Sequence, residues 1–177
     1  LKSNFPYENL HNKRIEAIIF FGKKNKLDLF GFGWDNIKNL PRYYQNKLLP
    51  VLKKIKPTPI DNKLTTISQY KFALCFENAA YKGGVSEKII DCFVAGVIPV
   101  YLGAVNIKEF VPEDTFIDVR LFNTWEELYI KLEDFSEIDA NMMISKGREF
   151  IMSEKGQVHS YDGFAKFIGN LISQILK

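Results

Sequence analysis

The chain is poor in the residues that staple or metallate small proteins: 177 residues include two cysteines and two histidines. Cys75 and Cys92 each lie inside an apolar run, which reads as two buried thiols and not as a disulfide framework. His11 and His159 are far apart and have no Cys or His neighbour at ligand spacing, so no zinc site is expected. The longest stretch without a charge, Cys92 to Ile107, has 16 residues and contains Gly96, Pro99 and Gly103; it is too short and too broken for a membrane span. There is no signal-peptide pattern, and a start on Leu1 in place of Met reads as a fragment or a processed product. Missing too are G-x-x-x-x-G-K-[ST], G-x-S-x-G and any Asp-x-Asp pair. Their absence removes the P-loop, the nucleophile elbow and the usual carboxylate handle for a metal on a nucleotide diphosphate. Neither sign of charge dominates: 24 basic against 21 acidic residues leave +3, which gives no ground for a nucleic-acid partner.

What is present is ordinary globular composition, 46% hydrophobic and 25% charged, with 14% aromatic residues. The length fits one domain with a real core. The spacing in "NLHNKRIEAIIFFGKKN" predicts a helix stopped at Gly22, and "LDLFGFGW" a strand entering a glycine turn. "GFGWDN" has Asn36 where a dinucleotide fingerprint needs its third glycine, so Gly31 and Gly33 read as turn glycines. A helix interrupted by Pro50 follows. Lys53, Lys54 and Lys56 beside it fit a solvated face, or one that steers an anionic substrate or meets a membrane surface peripherally.

From Gln69 onward the signals sharpen. "YKFALCFEN" is a strand apolar on both faces, as central parallel strands are. "AAYKGGV" is a loop, "SEKIIDCFVAG" a helix with Ser86 as N-cap and Gly96 past its end, and "VIPVYLG" a second buried strand. The three make a right-handed βαβ unit. "TFIDV" is a further short strand. "NTWEELYIKLEDF" is an amphipathic helix with Thr124 and Glu127 at capping-box spacing and Trp125 facing the core. Helices near residues 136–153 and 160–177 end the chain. Strands alternating with helices predict an α/β layered domain.

One feature of the βαβ unit stands out chemically. Lys88 lies in the first turn of a helix, where a cation costs about 0.3–1 kcal/mol against the macrodipole. Ligands of open parallel sheets sit beyond the carboxyl ends of strands. Glu77 and Asn78 end one strand there, Ser86, Glu87 and Lys88 open the helix, and Gly83 and Gly84 permit close backbone approach. A phosphate accepting from the helix amides would offset Lys88; Glu87 would then face hydroxyls or a positively charged sugar. The plainer reading has Glu87 favouring the dipole and Lys88 reaching into solvent. Arg14 reads as a surface charge and Tyr81 as a loop aromatic, exposed or stacking on a base.

Ser68 to Val119 strongly resembles the α-1,3/4-fucosyltransferase family, glycosyltransferase family 10. The resemblance rests on F-E-N ending a strand (Phe76, Glu77, Asn78), eight residues, the pair Glu87-Lys88, and an I-P-V strand closing on Gly103. It implies a Rossmann-like parallel sheet with helices on both faces, the C-terminal, donor-binding half of a GT-B glycosyltransferase. It further implies GDP-fucose as donor, inversion at the anomeric carbon and no obligatory metal or other cofactor. Lys88 would contact donor phosphate, Glu87 the ribose or developing sugar cation, and Arg14 the diphosphate leaving group, while Glu77 and Asn78 frame the site. The family's tyrosine three residues before the Glu-Lys pair is Gly84 here, and its threonine is Ser86; Tyr81 is the candidate to supply the missing ring, and the alternatives are a transferase domain using another nucleotide sugar or a non-catalytic nucleotide-sugar-binding module. The glycan acceptor and the general base would belong to an N-terminal acceptor domain, after which this chain is expected to begin. The expected location is cytoplasmic or peripheral to a membrane in a microbe, or the Golgi lumen in a eukaryote with an anchor outside the chain.

Overall fold

The computed structural model describes residues 8–34 and 36–175. In chain order the elements are β1 (Glu8–Asn9), α1 (His11–Lys23), α2 (Arg42–Ile55), α3 (Lys63–Ile67), β2 (Phe72–Phe76), β3 (Ala79–Ala80) and α4 (Glu87–Ala95). Then follow β4 (Ile98–Leu102), β5 (Ile117–Asp118), α5 (Trp125–Glu133), α6 (Glu137–Met152), α7 (Glu154–Gln157) and α8 (Tyr161–Ile175). Three strands form a parallel sheet in the order β2-β4-β5, and β1 pairs with β3 antiparallel.

Side chains alternate across the sheet and feed two cores. Phe76, Ile98, Val100 and Leu102 pack toward Ala17 and Phe21 of α1 and Leu128 of α5. Cys75 and Tyr101 pack toward Ile89, Cys92 and Phe93 of α4 and Phe150 of α6. Helices therefore cover both faces, as the α/β reading requires. α1 is buried on a second side, where Ile15, Ile18 and Ile19 meet Leu48, Val51 and Leu52 of α2.

The βαβ unit forms as its sequence dictates. Ser86 caps α4, and Gly96 at φ 71° ends it in the left-handed conformation. β4 is the central strand and all five of its residues are buried. β2, expected at the centre, is an edge among the described residues. Ile98 N donates to Lys71 O and Glu77 N to Leu102 O, so alternate residues bond β4 while Phe72, Leu74 and Phe76 turn their peptide groups outward.

Five further expectations need correction. Gly22 does not stop α1 but lies inside it, where a Cβ would strike Val51 of α2. Residues 27–30 make no strand beyond one bridge from Phe30 to Thr58, although Gly31 and Gly33 do turn at positive φ. α2 runs through Pro50 unbroken. A proline there costs about 3 kcal/mol, which burial of Leu48, Val51 and Leu52 offsets. The loop after Asn78 contains the short strand β3, and α3 and α7 arise where no helix was expected. Among the described residues no helix is long and apolar enough to cross a membrane.

Candidate functional site

Strand β2 delivers Glu77 to the carboxyl end of the sheet, and Ser86 opens α4 opposite it. Glu77 is 5% exposed, and its carboxylate is fully engaged. It accepts from Ser86 N at 2.9 Å, from Ser86 Oγ at 2.8 Å and from Lys88 Nζ at 2.8 Å. Lys88 Nζ also donates to Ser86 Oγ at 2.9 Å. Glu77 is thus an internal anion paired with Lys88. Glu77 occupies the position at a helix N-terminus that favours negative charge, and this is what offsets a lysine in the first turn.

Arg14 arrives from α1. One guanidinium nitrogen donates to Phe76 O at 2.9 Å, Glu77 O at 3.2 Å and Asn78 Oδ1 at 2.9 Å. It thereby satisfies the outward carbonyl of Phe76, which no neighbouring strand takes up among the described residues. Burial pushes the Arg14 guanidinium down from its ordinary value, and Glu77 opposes that shift. Leu10 N donates to Asn78 O at 3.0 Å, so the start of α1 is fastened to the same strand end.

Arg14, Glu77, Asn78, Ser86 and Lys88 are therefore one hydrogen-bonded constellation. Glu87 is exposed at the start of α4 and is not bonded into it. Tyr81, Gly83 and Gly84 belong to the loop between β3 and α4. Gly83 sits at φ 74° and donates its N–H to Asn106 Oδ1 at 2.9 Å. The ring of Tyr81 lies over Gly84, where a Cβ would come within 2.6 Å of the ring carbon Cζ. Gly84 is thus the residue that lets the exposed tyrosine fold back across the loop.

Sequence reasoning overlooked Tyr101, Asn106, Asp118 and Arg120. Tyr101 is fully buried, and its hydroxyl accepts from Ala104 N at 2.9 Å. Burial pushes that hydroxyl well up from its ordinary value. Asp118 takes a two-pronged contact from Arg120, at 2.8 and 2.7 Å. The available signal was position: each stands at or just past the carboxyl end of β4 or β5. Leu102, Gly103, Val119, Arg120 and Trp125 border a cavity of about 280 Å³ there. A larger cavity of about 570 Å³ extends from Arg14 and Lys88 along the outer edge of β2. Among the described residues no group of three or more His, Cys, Asp or Glu side chains could hold a metal ion.

Residues 8–144 match the family model of glycosyltransferase family 10 (fucosyltransferase), C-terminal region. The chain belongs to this family. An α-(1,3)-fucosyltransferase of Helicobacter pylori is 36% identical over 115 residues, covering 63% of this chain and 22% of that enzyme. The mouse 4-galactosyl-N-acetylglucosaminide 3-α-L-fucosyltransferase 9 is 42% identical over 84 residues, covering 45% of this chain and 22% of its own length. The chain thus spans about a fifth of these family 10 relatives. A crystal structure of an α1,3-fucosyltransferase with GDP superposes with a TM-score of 0.50 over 78% of this chain and 45% of that one, at 23% identity. That likeness is one of fold. With the family match it identifies the α/β domain as the C-terminal half of a GT-B architecture.

Proposed function

We propose that this chain is the donor-binding domain of an α-1,3/4-fucosyltransferase that uses GDP-fucose, inverts the anomeric centre and needs no metal. One observation carries the reading: Arg14 and Lys88, from separate helices, converge on the end of β2 within the segment that matches the family. Two cations fixed where leaving-group charge grows stabilise a transition state electrostatically. In the proposed mechanism the incoming diphosphate takes hydrogen bonds from Lys88 and Arg14, while the exposed Glu87 meets the ribose or the developing sugar cation. A carboxylate near an oxocarbenium-like carbon lowers its energy. The acceptor glycan and the base that activates it come, on this proposal, from a separate acceptor domain.

Tyr81 supports retention of the nucleotide site despite Gly84. Its ring occupies the space above position 84, so one aromatic is supplied from three residues upstream. Gly84→Ala should displace that ring and weaken GDP binding as much as Tyr81→Ala does. Unfolding free energy should change by less than about 1 kcal/mol, because Tyr81 is half exposed and free to move. Wild-type affinity in Gly84→Ala would remove Tyr81 from the site.

The test of the whole reading is a thermal scan with GDP, GDP-fucose or UDP. Ligand at about 100 times its dissociation constant stabilises by about 2.7 kcal/mol, which for a chain of this size raises the midpoint by roughly 5–10 °C. A rise with both guanine ligands and not with UDP is expected. A UDP-selective rise would overturn the fucose assignment, and no rise with any nucleotide would overturn donor binding by this chain.

A further inference from the structure

Cys75 and Cys92 take no part in the constellation above, yet they sit directly beneath it. Cys75 precedes Glu77 by two residues on the same strand, and so shares its face of the sheet. Cys92 follows Lys88 by four residues on α4, one turn further along the same side. Both are free and buried, belong to one apolar cluster and line the 570 Å³ cavity that Lys88 also lines. The neighbouring Cys92 thiol together with burial holds Cys75 well above its ordinary pKa. The chain has no other cysteine.

We propose that Cys75 and Cys92 are a site of reversible oxidation, forming an intramolecular disulfide when a hydroperoxide reaches them through that cavity. In the first step one thiol is oxidised by hydrogen peroxide to a sulfenic acid, releasing one water. The second sulfur then attacks the first, forms the S–S bond and releases a second water. The protein loses two hydrogens and the peroxide is reduced to two waters. A protonated Cys75 makes the reaction slow at neutral pH and faster in alkali. The bridge ties α4 to β2 one turn from the Glu77–Lys88 pair. On the donor-site reading, from which this second consequence follows, oxidation opposes the release of Lys88 toward a phosphate and weakens GDP binding about tenfold.

The experiment treats the full 177-residue chain with hydrogen peroxide at mildly alkaline pH, alkylates it under denaturing conditions and weighs it intact. The expected product has lost two hydrogens, resists alkylation, and regains two alkylatable thiols after dithiothreitol. Cys75→Ala and Cys92→Ala should each gain oxygen and lose no hydrogens; circular dichroism confirms that each is folded, and the serine variants replace any that is not. Oxygen added on either cysteine, located by peptide mapping apart from the exposed Met142 and Met152, a disulfide-linked dimer or two thiols still open to alkylation would each overturn the disulfide. Equal GDP affinity before and after oxidation would overturn the coupling to Lys88. Absence of GDP binding by the reduced chain would count against the donor reading and leave the mass result standing.

Discussion

Glu77→Gln is expected to lower the unfolding free energy by about 2–4 kcal/mol, without changing the fold. Removing one member of a buried ion pair costs about 3–5 kcal/mol because the other is left uncompensated; the Lys88 side chain is 29% exposed, which brings the expectation below the top of that range. Glutamine retains an oxygen for Ser86 N but loses the charge that neutralises Lys88 in the first turn of α4. The partner experiment separates pairing from packing. If the pair dominates, Glu77→Gln combined with Lys88→Met should cost clearly less than the two single changes added together. Urea unfolding with unchanged slope measures all three variants. Strict additivity, or a loss under about 1 kcal/mol in Glu77→Gln, would mean that Glu77 and Lys88 are neighbours without mutual dependence.

That pair also marks where the sequence stopped being readable. The strand, helix and strand from Phe72 to Leu102 were legible because each carries its own boundary: a buried apolar run, the Ser86 cap, the left-handed Gly96. Arg14, Glu77, Asn78, Ser86 and Lys88 were all legible as residues of interest, yet their bonds were not. Lys88 finds Glu77 across 11 positions, and Arg14 finds Phe76 O across 62. Local pattern says nothing of such contacts, so the carboxylate that pairs with Lys88 could not be read from it.

Residues 27–30 and Pro50 failed for a related reason. The stretch Leu27 to Phe30 alternates like a strand, but a strand needs a ladder. The outward groups of Phe72 and Leu74, which could supply one, face the 570 Å³ cavity. A proline breaks a helix most surely when the bond it removes lies in a buried turn. Here Pro50 and Asn46, whose carbonyl loses its partner, are both exposed, so water takes the orphaned carbonyl while Val51 and Leu52 stay packed on α1. In both cases the decisive partner lies elsewhere in the chain.

Lys88→Ala is expected to weaken GDP binding by about 10–150-fold, the equivalent of one charge-assisted hydrogen bond of about 1.5–3 kcal/mol. In the absence of donor, Lys88 already has a carboxylate at 2.8 Å, so binding must exchange one anion for another, or let Lys88 serve both. Either way Glu77 opposes the diphosphate more strongly once the lysine is gone. Adding Glu77→Gln to Lys88→Ala should therefore restore part of the affinity that Lys88→Ala loses, although the same glutamine destabilises the wild-type fold. A residue important only for folding would not produce this reversal. Titration calorimetry with GDP on the wild type, both single variants and the double variant reads the four affinities. If Lys88→Ala binds GDP as tightly as the wild type, Lys88 is the counterion of Glu77 and nothing more. Arg14, whose guanidinium reaches the same strand end from the opposite helix, would then be left as the cation for the diphosphate.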